Sequence, residues 1–205
     1  GDDTGDALFS YRSCRTVEEV CAGAKTRYYP VHVADVLSEV SQHEARYALV
    51  ALPCTLKGLR LAQLISPTLR ERIVFTVGLF CGGLKNAYFV EYLAACVGVQ
   101  ADEIAAPRFR VKKPRSSAWD YSFQCARLPD QDDVHAIPMR LLGDMWGAGL
   151  FKPNACDYCD DFSAELADVS VGDAWISPYI KDGLGTSIVV TRSPEAQRML
   201  EQGCA

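Results

Sequence analysis

Apolar residues recur along this chain at one period and then at another. Val33, Val36, Leu37 and Val40 return at helical spacing and predict a helix over 34–43. A short β-prone stretch, 28–33, precedes it. Residues 47–52 form an apolar run that meets Pro53, the pattern of a buried strand. Leu56, Leu59, Leu61 and Leu64 then mark a helix to about Ile65, with Pro67 beyond it. A second buried strand is expected over 73–80, and a helix over 86–97 closed by Gly98. The resulting order is βαβα, for which parallel strands are expected.

From Ile104 the pattern changes to alternation. RFRVKK and YSFQCAR alternate polar and apolar residues across a loop begun by Pro114, so 104–137 reads as an antiparallel, hairpin-like insertion with an irregular linker. A helix is expected over 138–150, although Gly143, Gly147 and Gly149 weaken it. ADVSVGD and TSIVVTR supply two further strands around a Gly-rich turn, and Ser193 and Pro194 open a final helix. The fold class is therefore α/β: a mainly parallel sheet core with helices, an antiparallel hairpin and a Cys-rich loop region. All 205 residues read as a single α/β domain, expected to be a fragment that lacks an upstream strand–helix unit.

Composition narrows the chemistry. The formal net charge of −5 argues against general nucleic-acid binding, and no apolar run reaches the ~20 residues that span a bilayer. The acidic, Gly-rich start does not read as a signal peptide, so a cytoplasmic location is expected. Nine cysteines are many, and their number is odd. A disulfide framework is not expected in a reducing compartment, which leaves metal ligation for some and burial as small hydrophobes for the others.

Four cysteines stand out by position. Cys54 and Cys81 each follow the end of a predicted parallel strand, where ligands and cofactors collect in open α/β sheets. Cys156 and Cys159 form a C-x-x-C pair in NACDYCDDF. Four thiolates suit either a Cys₄ zinc site or a 4Fe-4S cluster, and spacing alone does not separate them. Cys14, Cys21, Cys96, Cys125 and Cys204 have no partner spacing. His32, His43 and His135 form no pattern with the cysteines, and no catalytic residue is assigned.

The segments ALPCTLKGLR, VGLFCGG, CDYCDDF and ADVSVGDAW followed by G-x-S resemble the beta subunit of coenzyme F420 hydrogenase/dehydrogenase. AGAKTRYYPV is similar to the Gly-Ser-Lys-Tyr segment that precedes them in that family, with AGAKTR in place of the usual residues. The resemblance runs from about Cys14 to the end. It implies an iron–sulfur flavoprotein carrying FAD and a 4Fe-4S cluster, with Cys54, Cys81, Cys156 and Cys159 as the ligands. It also implies that Lys25 and Arg27 lie near the flavin, that Lys57 and Gly58 form the turn after the first ligand, and that Gly172 and Asp173 complete the cofactor-binding set. Such a protein passes electrons between a two-electron donor, such as the reduced deazaflavin F420, and a redox partner subunit or ferredoxin-like module. The family's Gly-Gly-x-x-Thr-Ala unit is absent from this sequence.

Two further readings stay open. A zinc- or cluster-stabilised interaction or electron-relay module would use the same cysteines. The basic run PRFRVKKPR reads first as a solvated hairpin edge, with an anionic-ligand site as the alternative. Tyr28, Tyr29, Trp175 and Tyr179 read as core or interface aromatics that could also stack on a flavin ring.

Overall fold

The computed structural model describes residues 7–203. Its elements run α1 (Val17–Gly23), α2 (Ala34–Gln42), β1 (Tyr47–Ala51), α3 (Pro53–Ile65), α4 (Pro67–Arg72), β2 (Ile73–Leu79), α5 (Tyr88–Ala95), β3 (Ile104–Lys112), β4 (Tyr121–Arg127), β5 (Val134–Pro138), β6 (Val169–Asp173), β7 (Ser187–Thr191) and α6 (Pro194–Gly203). Where the sequence reads as one domain, the chain divides into two compact units. One comprises residues 33–82, 157–175 and 186–205; the other comprises 1–32, 83–156 and 176–185.

The first of these units holds the parallel sheet. Its strand order is β1-β2-β6-β7, with β1, β2 and β6 parallel and β7 antiparallel to β6. Helix α3 begins with proline, whose fixed φ suits a first helical position. It buries Pro53, Leu56, Leu59 and Gln63 at helical spacing, while Leu61 and Leu64 of the predicted apolar face are exposed. Pro67 does not merely stop that helix. Ser66 accepts from the Leu69 N–H and so caps a new helix, α4. The core gathers Val40, Leu49, Leu56, Leu59 and Ile73.

A polar web ties β2 to β6 inside this unit. The Asp168 carboxylate accepts from the Thr76 N–H at 2.9 Å and from the Thr76 hydroxyl at 2.7 Å. Arg60 donates to the Thr76 hydroxyl and to the Leu166 carbonyl, and lies 3.5 Å from Asp168. Thr76 is fully buried, so its polar atoms depend on these partners.

The other unit is built on an antiparallel sheet of order β3-β4-β5. The insertion predicted as a hairpin thus has a third strand, β5, paired from Ser122↔Pro138 to Ala126↔Val134. Phe89, Val90 and Leu93 of α5 bury against Phe109 and Phe123 of the sheet. The helix expected over 138–150 is not formed. A 3-10 turn, Met139–Leu142, ends at Gly143 with φ of 71°, a backbone that glycine tolerates best, and turns follow. Nor is there a strand over 28–33; Tyr28 instead packs edge-on against Phe109 and Trp146, and Tyr29 against Phe9.

Within those turns sits Lys85, which is 1% exposed. Its ammonium donates to the Met145 carbonyl at 2.9 Å and the Leu150 carbonyl at 2.5 Å, and lies 4.2 Å from the Trp146 ring centroid. Burial is the main cause that holds the Lys85 pKa below the usual lysine value, with Lys152 adding to it.

Candidate functional site

Strand pairing aligns the first two cysteines. Ala51 of β1 is the register partner of Gly78 of β2, and Cys54 and Cys81 each lie three residues further along the chain. Both therefore stand beyond the carboxyl ends of adjacent parallel strands, as the sequence predicts. Cys54 is exposed in the first turn of α3, and Cys81 is half-buried. Gly78 is tightly packed: a Cβ there would come within 2.3 Å of the Ala164 Cβ.

Two contacts bring the C-x-x-C loop to the same edge. Lys57 lies three residues after Cys54 and so shares its helical face. Its ammonium donates to the Asp160 carboxylate at 2.7 Å. That pairing is the chief cause raising the Lys57 pKa and lowering that of Asp160, and the nearby Cys159 adds to the first shift. The Cys81 N–H donates to the Phe162 carbonyl at 2.9 Å, and the Phe80 and Phe162 rings meet edge-on at 5.4 Å. The loop is shaped from within by the buried Asp161, whose carboxylate accepts from the Glu165 N–H, while the Cys159 thiol points to the Asp161 carbonyl at 3.6 Å. Cys54, Cys81 and Cys159 therefore belong to one neighbourhood of the parallel-sheet unit.

Cys156 closes the other unit in the chain division, its N–H donating to the Pro153 carbonyl. None of the eight described cysteines forms a disulfide. Among the described residues, no three His, Cys, Asp or Glu side chains come close enough together to hold a single metal ion. The four donors are all thiols, the donor chemistry that a 4Fe-4S cluster takes. The remaining described cysteines include Cys125, 1% exposed in the core, where burial pushes its thiol pKa up. Cys14, Cys21 and Cys96 belong to the antiparallel unit, and Cys204 falls outside the described residues.

The other cofactor positions divide by environment. A Cβ at Gly58 would meet nothing within 4 Å, so the helix surface beside Cys54 is open. A Cβ at Gly172 would lie 2.4 Å from the Phe80 ring, so that glycine admits a half-buried aromatic. Asp173 is half-buried at the end of β6, opposite Ser187 of β7. In the antiparallel unit, Lys25 and Arg27 line a cleft of about 240 Å³ together with Arg108, Arg110 and Lys112 of β3. The basic run is thus an edge strand, as its pattern suggests, and also one wall of a cleft that its pattern does not reveal.

No helix among the described residues is long and apolar enough to cross a membrane.

Comparison with known proteins bears on the family and the fold. Residues 44–205 match the family described as the C terminus of the coenzyme F420 hydrogenase/dehydrogenase beta subunit. The chain is 28% identical over 195 residues to the beta subunit of coenzyme F420 hydrogenase from Methanothermobacter thermautotrophicus, covering 91% of this chain and 60% of that protein. It is 24% identical over 177 residues to the F subunit of F(420)H(2) dehydrogenase from Methanosarcina mazei, covering 83% of this chain and 45% of that protein. The chain thus spans about half the length of these curated relatives. A solved structure of the F420-reducing NiFe hydrogenase complex from Methanosarcina barkeri, derivatised with xenon, shares the fold with a TM-score of 0.62 at 20% identity. That match covers 91% of this chain and 58% of the other. The α/β chain with a parallel core and a second, antiparallel sheet belongs to the family of coenzyme F420 hydrogenase/dehydrogenase beta subunits.

Proposed function

We propose that this chain is an electron-transfer part of an oxidoreductase, binding a 4Fe-4S cluster through Cys54, Cys81, Cys156 and Cys159 and FAD through a set that includes Lys25 and Arg27. When bound, FAD would supply the coupling of a two-electron hydride donor, such as reduced deazaflavin F420, to one-electron transfer, and a 4Fe-4S cluster would supply the one-electron carrier. The observation that supports this reading most is the pair of contacts, Lys57–Asp160 and Cys81–Phe162, that draws three thiols to one sheet edge.

The chain's own residues have definable tasks in this scheme. Lys57 holds the loop that carries Cys159, and the open surface at Gly58 leaves room for an inorganic group beside Cys54. Lys25 and Arg27 supply positive charge to a cofactor phosphate. Gly172 serves by admitting Phe80, whose ring backs Phe162 and hence the loop. Asp173 belongs to the cofactor set by family likeness. Electrons leave to a redox partner subunit or a ferredoxin-like module, and the relatives named as hydrogenase and dehydrogenase subunits support that role.

Anaerobic purification followed by iron, sulfide, zinc and flavin analysis tests the proposal. Iron with equimolar sulfide, together with FAD, is expected. One zinc per chain and no flavin would support the interaction-module reading instead.

A further inference from the structure

The two faces of the parallel sheet differ sharply in burial. Leu49 and Ala51 of β1, Thr76 of β2 and Ser170 of β6 are buried, and register puts them on one face. Helices α2, α3 and α4 serve that face: Val40, Leu56, Leu59 and Leu69 share a core with Leu49 and Ala51. Successive strand residues point to opposite sides, so the alternate positions make up the other face.

Strand register sets that second face out in two aliphatic rows. Val50 of β1 is the partner of Val77 of β2, which is the partner of Val169 of β6. Two residues further along, Leu79 of β2 is the partner of Val171 of β6, and Val171 that of Val189 on β7. None of these six is buried: Val50, Leu79 and Val189 are 48%, 40% and 39% exposed, and the other three are half-buried. At the β7 edge the Thr191 hydroxyl, which shares this face with Val169, donates to the Gln197 side chain of α6 at 2.7 Å. Met199 and Leu200 of α6 lie on the same helical side as its buried Ala196 yet stay exposed. Contiguous apolar surface of this kind marks a docking site.

The chemistry of the face selects its cover. Strands β1, β2 and β6 are parallel, and parallel sheets occur almost only with helices laid over both faces. Face-to-face packing of two sheets, as between two copies of this chain, belongs to antiparallel sandwiches. Six aliphatic side chains offer no hydrogen bond, so an extended or irregular segment laid on them would leave its own N–H and C=O groups unpaired. A helix pairs those groups internally and needs only an apolar stripe at i, i+3, i+4 and i+7.

The relatives carry polypeptide beyond the region they share with this chain, which covers 45% of the F subunit from Methanosarcina mazei and 60% of the beta subunit from Methanothermobacter thermautotrophicus. We infer that the open face of the sheet docks an amphipathic helical segment of the same beta-subunit polypeptide, from outside these 205 residues. The docked helix lays its apolar stripe along the rows of Val50 and Leu79 and completes the second helical layer over β1, β2 and β6. This docking requires neither a cluster nor a flavin.

Site-specific photo-crosslinking of the full-length protein tests this, with benzoylphenylalanine placed at Val50, at Val189 or, for comparison, at Arg70, exposed on the helix α4 that serves the opposite face. Peptide mass spectrometry after irradiation is expected to join positions 50 and 189 to a segment of the same polypeptide beyond these 205 residues, one with an apolar helical stripe. Position 70 is expected to reach no such segment. Val50→Glu and Val189→Glu set a charge in the contact, so limited proteolysis of that segment should speed up about tenfold or more, with Arg70→Gln as wild type. Circular dichroism checks the fold of each variant, and the crosslinks decide alone if the glutamate variants unfold. Crosslinks joining two copies of the face, crosslinks only to another protein, or none at all would overturn the inference, as would proteolysis indifferent to folded glutamate variants.

Discussion

Lys57 and Asp160, 103 positions apart in the chain, meet at 2.7 Å and fasten the C-x-x-C loop to the first turns of α3. Both side chains are exposed, and exposed pairs add little to global stability. The pair's effect is local, on where Cys159 sits relative to Cys54. Lys57→Met and Asp160→Asn should therefore leave the melting temperature nearly unchanged while speeding iron loss to a chelator. Chelator-release kinetics on the loaded protein check this; equal release rates in variants and wild type would contradict it.

Gly172 is expected to be intolerant of a methyl group. A Cβ 2.4 Å from the Phe80 ring must displace that ring or the β6 backbone, and overpacking of this kind costs about 1–3 kcal/mol. Denaturant unfolding of Gly172→Ala should show that loss, and Gly172→Ala combined with Phe80→Ala should cost less than the two single changes added together. Strict additivity would show that the ring is not what excludes the methyl group.

Thr76→Val keeps the shape of a buried side chain and removes a hydroxyl that donates to Asp168 and accepts from Arg60. The remaining partners are left short of a hydrogen bond in a buried place, which costs about 1–3 kcal/mol. The same denaturant titration measures it. A variant as stable as wild type would mean that water replaces the lost contact.

Lys85 ties the turns around Met145 and Leu150 through two carbonyls. Lys85→Met should raise amide exchange over 143–151 more than elsewhere. Its pKa is lowered in the folded chain, so between that value and lysine's ordinary ~10.4 the unfolded chain binds more protons. Stability from this group accordingly rises with pH across that window. The stability difference between wild type and Lys85→Met should shift in favour of wild type as pH rises there. A pH-independent difference would contradict the assignment.

Local patterns made much of this architecture readable. Helices α2 and α3 and strands β1 and β2 follow from apolar spacing, with Pro53 closing β1 and Pro67 closing α3, because each pattern is resolved within a dozen residues. The stretch at 138–150 misled because apolar residues there serve a core reached by turns: Met145 is buried beside Phe89, and Trp146 covers Lys85. Strand β5 was hidden by its shortness, five residues, and by the polar linker 128–133 that precedes it. Of the site, Cys54 and Cys81 were legible from their strand ends. Asp160 as the partner of Lys57 was not, since nothing near either residue signals the other. For the same reason the cleft was unreadable: Lys25 and Arg27 lie some 80 residues before the strand that faces them.

The measurement that bears most directly on the central claim is iron and acid-labile sulfide per chain after anaerobic reconstitution, in wild type, Cys81→Ser and Cys96→Ser. A 4Fe-4S site held by Cys54, Cys81, Cys156 and Cys159 predicts about four of each in wild type and in Cys96→Ser, and a marked loss in Cys81→Ser. Wild type without iron, or Cys81→Ser loading as fully as wild type, would contradict it.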